Sequence, residues 1–340
     1  MEKNKILEVK DLKVTFHTYA GNVQAVRGVS WYLNEKETIA IVGESGCGKT
    51  VSIQTVIGLN SSRTTDIQGQ VLFEGKDLVK EDMKEIRKLQ GDKMSIIFQD
   101  PFTFLNPTMT VGKQIMEAYR EHRKVTKKEA KERTIEILKL ISLPDPEKNM
   151  KRYPHQLSGG MRQRIMVAMA LICDPKLLFA DEPTTALDVT IQAQIVDLMK
   201  ELKTKIDTSI VLITHDMGVV ANMAERIYVM YAGQIVEHGE AREIFYNPKH
   251  PYTKALLESV PRMDNRSDTP LSSIPGTPPD LIAPPVGCAF AERCPHAMNI
   301  CRKEQPAYQN FGGEHIAACW LHHPECQKRL SLRRDEHEQQ

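Results

Sequence analysis

The sequence lacks any long apolar run. No stretch of its 340 residues approaches the roughly 20 consecutive apolar residues that a membrane-spanning helix needs. The first residues are charged or polar and do not lead into the apolar segment of a secretory signal. We therefore expect a cytosolic protein whose association with any membrane is made through partners.

An excess of charge is also missing, because 45 Lys and Arg residues are balanced by 44 Asp and Glu residues. This balance argues against electrostatic binding along a nucleic-acid backbone, so we expect no nucleic-acid partner. No repeat of solenoid period is evident. The length suits one large domain with a smaller one beside it.

The strongest signal that is present is the string GESGCGKT at residues 43–50, which fits the phosphate-binding pattern called the P-loop. The apolar run before it, residues 38–42, predicts a buried strand, and residues 51–57 predict a helix. A glycine-rich turn between a strand and a helix lets backbone N–H groups surround phosphate oxygens. Lys49 can reach the β- and γ-phosphates, and Thr50 can ligate Mg²⁺. The predicted nucleotide-binding residues of this turn are Gly43, Glu44, Ser45, Gly46, Cys47, Gly48, Lys49 and Thr50.

A second apolar strand is predicted just before two acids, Asp181 and Glu182. In P-loop enzymes such a strand lies beside the P-loop strand. Its first acid holds Mg²⁺, and a following glutamate polarises the attacking water. We predict these roles for Asp181 and Glu182.

The segment Ser158-Gly159-Gly160 precedes an apolar-periodic stretch and predicts a helix with a glycine-rich start. This is a second potential phosphate-binding device in one chain. Two such devices do not easily serve one nucleotide within one subunit. They make sense if the Ser-Gly-Gly turn of one subunit faces the γ-phosphate held by another subunit. Taken alone, the segment also fits an ordinary capped helix.

In this order, the segments resemble the motifs of the ATP-binding subunits of ABC transporters, over about residues 6–250. Residues 43–50 are similar to the Walker A motif, and Asp181 with Glu182 to Walker B and the catalytic glutamate. The signature motif is matched with Met161 and Arg162 where many relatives carry Gln and Gln or Lys. The other matches are Gln99 to the Q-loop, residues 158–163 to the signature, Asp188 to the D-loop and His215 to the switch histidine.

The resemblance implies an α/β fold of the P-loop NTPase class, the ABC-type nucleotide-binding domain. Such a domain has a RecA-like core, an antiparallel β subdomain and a helical subdomain, here at about residues 101–172. We expect the ATPase domain to occupy residues 1–260. Asn22 and Gly21 are expected in a turn between early strands.

The resemblance also implies a mechanism in which two subunits close head to tail on two ATP molecules. One chain supplies the P-loop and the catalytic residues Glu182, His215 and Gln99, with Thr50, Gln99 and Asp181 as Mg²⁺ ligands. Adenine would stack on Tyr19 or Phe16, and the spacing does not decide between them. The remaining ATP contacts implied are Ser158, Gly159, Gly160, Gln163 and Asp188.

A change of composition near Pro261 marks the end of this region. Residues 264–285 are rich in Pro, Ser, Asp and Thr and predict an extended connection. Five of the seven cysteines follow residue 287, and the first four are spaced C-x5-C-x6-C-x17-C. In a reducing cytosol they suggest a metal site. Closely spaced pairs typical of zinc are absent, which favours a 4Fe–4S cluster over zinc at Cys288, Cys294, Cys301 and Cys319.

Residues 250–253 together with Cys288, Cys294 and Cys301 resemble the cysteine-rich C-terminal extension of oligopeptide and dipeptide importer ATPases, some of which carry such a cluster. We expect residues 261–340 to form the Pro-rich connection and this extension. The resemblance implies an ATPase that energises peptide import at the cytoplasmic face of a bacterial-type cell membrane. Its partners would be a second, related ATPase subunit, two transmembrane permease subunits that dock near residues 100–107, and an extracellular substrate-binding protein. Import of nickel or another small cargo, or a non-transport ABC ATPase, remains the alternative.

Overall fold

The computed structural model describes residues 4–60, 63–184, 189–259 and 274–327. In these residues the strands are β1 Lys5–Thr18, β2 Gly21–Asn34, β3 Thr38–Val42, β4 Thr65–Phe73, β5 Lys76–Asp77, β6 Met94–Ile97, β7 Leu177–Asp181, β8 Ser209–Thr214, β9 Arg226–Tyr231, β10 Gln234–Glu240, β11 Tyr308–Asn310 and β12 Ile316–Ala318. The helices are α1 Lys49–Val56, α2 Met83–Leu89, α3 Pro101–Phe104, α4 Val111–His122, α5 Lys127–Leu140, α6 Pro146–Asn149, α7 Gly159–Leu171, α8 Val189–Ile206, α9 Met217–Met223, α10 Ala241–Tyr246, α11 Pro251–Glu258 and α12 Asn299–Lys303. Short 3₁₀ helices cover Pro154–Gln156 and Trp320–His322.

The larger sheet has the order β11-β12-β10-β9-β3-β8-β7-β6. The strands from β9 to β6 are parallel, and β10 pairs antiparallel with β9. Strands β3, β7 and β8 are buried along their whole length, which explains why their sequences are apolar except at the strand ends. The carboxyl ends of these parallel strands share one edge, where ligands bind in sheets of this kind.

The smaller sheet is antiparallel and has the order β2-β1-β4-β5. Its inner side chains, including Val14, Trp31 and Phe73, pack into one core with Ile41 of β3 and Ile53 of α1. This sheet therefore covers the face of the larger sheet from which the P-loop helix extends. The alternation of apolar and polar residues at 6–9, 29–33 and 69–73 predicts short strands, and these residues lie within β1, β2 and β4.

Helices α3 to α7 lie between β6 and β7 in the chain, which fits the predicted helical region. Their apolar faces, with Ile115, Ile137 and Ile165, join the second core against strand residues such as Ala40 and Leu178. None of the helices in the described part of the chain is long and apolar enough to cross a membrane.

The C-terminal segment, residues 274–327, is built onto the larger sheet. Strand β12 pairs antiparallel with β10, and β11 pairs with β12. Further upstream, the N–H of Gln24 donates to the carbonyl of Leu281 at 2.9 Å, and Arg27 donates to the carbonyl of Pro285 at 3.2 Å. The extended connection predicted from composition thus lies along β2 where it is described, whereas residues 260–273 lie outside the described residues.

Candidate active site

The P-loop follows β3 and is pressed against neighbouring strands. Gly43 has a φ of 154°, and a Cβ atom there would lie 2.1 Å from the carbonyl oxygen of Met230. At Gly48, with a φ of 100°, a Cβ atom would lie 2.3 Å from the carbonyl oxygen of Ala25. Both positions therefore require glycine. Helix α1 begins at Lys49 without a capping side chain, the arrangement that helix termini use to bind phosphate.

Lys49 is buried at the centre of this loop. Its Nζ donates to the carbonyl oxygens of Gly43 at 2.8 Å and of Glu44 at 2.9 Å. The loop therefore holds an ammonium group among its own backbone carbonyls. A phosphate oxygen entering the loop would meet this positive charge and the start of α1 together.

Thr50 and Asp181 meet across the site. The Thr50 hydroxyl donates to Oδ1 of Asp181 at 3.0 Å. Burial raises the pKa of Asp181 to about 6, the Thr50 hydrogen bond opposes this, and the charge of Glu182 adds to it. A buried carboxylate beside a hydroxyl supplies the hard oxygen ligands that Mg²⁺ prefers, so these two residues fit the predicted metal site.

Glu182 is held on both carboxylate oxygens. Nε2 of Gln99 donates to Oε2 at 2.8 Å, and Nδ1 of His215 lies 3.2 Å from Oε1. The backbone of Glu182 has a φ of 46°, and its N–H donates to the carbonyl of Ile213 at 2.8 Å. A non-glycine residue in this conformation is strained and typical of functional sites. The three residues predicted as catalytic thus lie together at the ends of β6, β7 and β8.

The Ser-Gly-Gly turn lies at the start of α7. The exposed Ser158 caps this helix, since its Oγ accepts from the N–H of Met161 at 3.3 Å. A Cβ atom at Gly160 would lie 2.9 Å from Cγ2 of Ile191, so glycine allows α7 to approach α8. Gln163 is buried, and its Nε2 donates to the carbonyl of Pro183 at 2.5 Å. Its amide therefore ties α7 to the segment after Asp181, and its predicted contact with ATP stays a prediction.

Comparison with known proteins decides the family. The profile described as "ABC transporter" matches residues 26–185, and that described as "Oligopeptide/dipeptide transporter, C-terminal region" matches residues 236–301. The oligopeptide transport ATP-binding protein OppD of Bacillus subtilis is 54% identical over 325 residues, 95% of this chain and 91% of the relative. The dipeptide transport ATP-binding protein DppD of Lactococcus lactis is 52% identical over 96% of this chain and 94% of the relative. The chain belongs to the ATP-binding proteins of oligopeptide and dipeptide ABC transporters.

Solved structures agree with this assignment. The dimeric, post-hydrolysis ATP-binding cassette MJ0796, bound to ADP and Pi, matches with a TM-score of 0.62 and 27% identity. The match covers 69% of this chain and 99% of that chain. As a member of this family the chain is an ABC-type ATPase, and its P-loop domain is the ABC nucleotide-binding fold.

The other predicted ATP contacts of this ABC ATPase are less tightly defined. Ser45 and Gly46 are exposed on the loop, whereas Cys47 is buried and burial raises the pKa of its thiol. Phe16 is half-buried against the core of the smaller sheet, and Tyr19 is fully exposed in the turn after β1. Stacking of adenine on either ring stays a prediction. Asp188 lies outside the described residues.

The four cysteines do not form a metal-binding group as the structure places them. Cys301 and Cys319 are buried, and Cys288 and Cys294 are partly buried. Burial, with a smaller contribution from charge on neighbouring cysteines, raises the pKa of Cys288 to about 11 and that of Cys319 to about 12. Across the described residues, which include all four, no three His, Cys, Asp or Glu side chains could hold a metal ion together. The predicted 4Fe–4S cluster, or zinc, is therefore not supported by this arrangement.

A contact that the sequence did not predict joins the C-terminal segment to the P-loop. Arg293 forms a two-pronged ion pair with Glu44, and the Tyr252 hydroxyl accepts from the Glu44 N–H at 2.8 Å. Arg293 directly precedes Cys294, and the only pattern in this part of the sequence is the spacing of the cysteines. No local pattern could have indicated a pairing between residues so far apart in the chain.

Proposed function

We propose that this ATPase energises the import of oligopeptides or dipeptides through an ABC transporter. The observation that carries the proposal is the convergence of Gln99, Glu182 and His215 beside the P-loop in a chain related along almost its whole length to peptide-transport ATP-binding proteins. The ATPase region hydrolyses the ATP that drives transport. Similarity in the C-terminal region to oligopeptide and dipeptide transporters supports a peptide cargo over nickel or another small cargo.

In the proposed reaction, Glu182 orients and deprotonates the water that attacks the γ-phosphoryl group. Gln99 and His215 fix its carboxylate through both oxygens, so that it is aimed before the substrate arrives. Lys49 and the start of α1 neutralise charge on the phosphates. Thr50 and Asp181, with Gln99 as the third predicted ligand, would hold Mg²⁺, which supplies further neutralisation of the triphosphate.

A complete site requires the Ser158 turn of another subunit. Ser158 is exposed at the start of α7, and a Cβ atom at Gly159 would meet no heavy atom within 4 Å. This open helix start is suited to a phosphate presented from outside the chain. The solved dimer of a related cassette supports closure in pairs. We propose head-to-tail pairing with a second, related ATPase subunit.

The remaining proposed partners are two permease subunits and an extracellular substrate-binding protein, which places the ATPase at the cytoplasmic face of a bacterial-type membrane. An aromatic pair beside the Q-loop supports a docking surface there. Phe98 and Phe104 are stacked with their ring centroids 3.7 Å apart, and Phe104 is 47% exposed although it is apolar. A permease helix covering this pair would push directly on the segment that carries Gln99.

The test is reconstitution with the permease subunits, the second ATPase subunit and the binding protein in vesicles. We expect uptake of labelled di- or oligopeptide that depends on ATP, and ATP hydrolysis that peptide stimulates. The complex with Glu182→Gln is the matched control and is expected to bind ATP without uptake. Stimulation by nickel and by no peptide tried would contradict the proposed cargo.

We propose further that residues 261–340 form a distinct connection and cysteine-rich extension after an ATPase domain of residues 1–260. A 4Fe–4S cluster at its four cysteines stays a prediction from their spacing in the sequence. Iron and sulfide analysis of anaerobically purified protein tests it. About four irons per chain, the content of one such cluster, are expected, and each Cys→Ser variant should lose them. Zinc alone, or no metal, would contradict the cluster.

A further inference from the structure

The C-terminal segment holds the P-loop through one guanidinium group. Nη1 and Nη2 of Arg293 donate to Oε2 and Oε1 of Glu44 at 2.5 and 2.9 Å, a bidentate ion pair. The Arg293 side chain is 4% exposed and the Glu44 side chain 28%. The pair is therefore shielded from solvent on the arginine side, where screening by water is weakest.

The orientation of this guanidinium is fixed independently of Glu44. Its Nε donates to the carbonyl of Pro275 at 2.8 Å, and Nη2 also donates to the carbonyl of Ile274 at 3.2 Å. Nη1 donates to the hydroxyl of Tyr231 at 3.2 Å. All three nitrogens are thus engaged, so the planar fork is aimed at Glu44 before the ion pair forms.

Glu44 is in turn hydrogen-bonded to Lys49, the residue predicted to bind phosphate. Its backbone N–H donates to the hydroxyl of Tyr252, and its carbonyl accepts from Nζ of Lys49. The chain of contacts from Arg293 through Glu44 to Lys49 is therefore continuous. Because Glu44 contacts both Arg293 and Lys49, a change in its ion pair with Arg293 would also change the surroundings of the P-loop lysine.

We propose that Arg293 is a positioning residue for ATP binding, which neutralises Glu44 and holds the P-loop in the shape that accepts a triphosphate. A carboxylate in the loop that surrounds the phosphates lies within the screening length of about 8 Å, so unpaired it would repel the triphosphate. Arg293 removes this repulsion and restricts the loop at the same time. The inference rests on ATP binding at the P-loop and is independent of the transported cargo.

The test measures the dissociation constant of Mg·ATP by calorimetry on the full-length chain in a Glu182→Gln background, where hydrolysis does not interfere. Arg293→Met is expected to raise this constant about tenfold or more, because it removes two hydrogen bonds between charged groups. Adding Glu44→Gln removes the uncompensated charge and is expected to restore binding to within about threefold of Glu44→Gln alone. Arg302→Met is the matched control, since Arg302 pairs with the exposed Glu292 in the same segment.

Rescue by Glu44→Gln separates a charge effect from general damage to the C-terminal segment, which the double variant would share. A folded Arg293→Met chain that binds Mg·ATP normally would overturn the proposal, and so would a double variant no better than Arg293→Met. If Arg293→Met does not fold, Arg293→Lys and Glu44→Gln are combined instead, and coupling below about twofold overturns the proposal. A parent chain that does not bind Mg·ATP would contradict the ATP site itself, not the role of Arg293.

Discussion

Two helices of this protein begin on glycine-rich turns, and they differ in what surrounds them. Helix α1 begins inside the molecule, where Lys49 is held by the P-loop carbonyls and Thr50 by Asp181. Helix α7 begins at an exposed serine that caps its own helix, with open space beside Gly159. A glycine-rich helix start is thus enclosed beside Asp181 in α1 and exposed to solvent in α7.

This difference indicates how the work of one ATP site is divided. In the proposed reaction the chemistry of hydrolysis belongs to the P-loop half, where the carboxylate of Glu182 is already held by Gln99 and His215. In the proposed pair of subunits, the Ser158 half would contribute hydrogen-bond donors and the positive end of a helix. We therefore expect substitutions in the P-loop half to abolish the reaction itself, and substitutions in the Ser158 half to prevent closure.

The largest effect is expected from Glu182→Gln in the P-loop half. The amide cannot accept a proton from water, so turnover should fall by two to four orders of magnitude, roughly the range of general-base catalysis, while ATP still binds. Turnover and ATP affinity of the purified transporter are the measurements. Glu132→Gln, an exposed acid paired with Lys128, is the control. Undiminished turnover in Glu182→Gln would show that another group acts as the base.

Ser158→Arg tests the other half. A large side chain at the outward turn should keep two subunits apart and lower turnover on the order of 100-fold, the effect of misplacing a reacting group. ATP affinity of the isolated chain should stay unchanged, because the P-loop is complete within one chain. Ser158→Ala is the milder control, since it removes only the cap. Full turnover of Ser158→Arg would contradict closure on this turn.

A smaller effect is expected from Thr50→Val, which removes the hydroxyl that contacts Asp181. The Mg²⁺ concentration for half-maximal turnover should rise about tenfold, as expected for one lost oxygen ligand. Thr50→Ser keeps the hydroxyl and should retain the parental requirement. If both variants need the same Mg²⁺ concentration as the parent, the hydroxyl does not serve the metal.

The smallest expected effect is a pH dependence of stability that arises from His250, a residue behind the P-loop half. His250 caps α11, its Nδ1 accepting from the N–H of Tyr252, whose hydroxyl holds the P-loop. Burial lowers the pKa of His250 to about 3. In the unfolded chain His250 takes up a proton near pH 6.5, whereas in the folded chain it stays neutral down to about pH 3. The free energy of unfolding is therefore highest above pH 6.5 and falls as the pH drops from 6.5 towards 3. Between pH 7.5 and 5.5 we expect a loss of about 1 kcal/mol from this group.

Urea unfolding at both pH values measures that loss. His250→Asn keeps a capping side chain without a titrating ring, so its unfolding free energy should depend less on pH. An equal pH dependence in parent and variant would exclude His250 as the source.

The parts of the site that the sequence predicted are those carried by local patterns. Strand β3 has the predicted bounds, because four consecutive apolar residues after Thr38 and before a glycine turn fit a strand buried on both faces. Asp181, the last residue of β7, contacts Thr50 as its predicted role requires, because parallel strands bring their carboxyl ends to one edge. The expectation that this strand lies beside the P-loop strand was wrong, since β8 pairs with both strands and separates β7 from β3.

The parts that were missed depend on contacts between distant segments. The turn expected at Gly21 and Asn22 lies at residues 19–20, and β2 begins at Gly21. A Cβ atom at Gly21 would lie 3.0 Å from Ile282, so this glycine is explained by the C-terminal segment. The ion pair of Glu44 with Arg293 likewise joins two single residues with no periodic signal around either one.

The two short strands of the C-terminal segment, β11 and β12, protect the larger sheet against edge-to-edge aggregation. Strand β10 is seven residues long, and without β12 its free backbone groups would be open to any passing extended chain. With β12 in place, the exposed border is the three-residue β11, which is too short to recruit another strand effectively. The C-terminal segment thus covers the edge of β10, and truncating the chain near residue 260 would expose that edge.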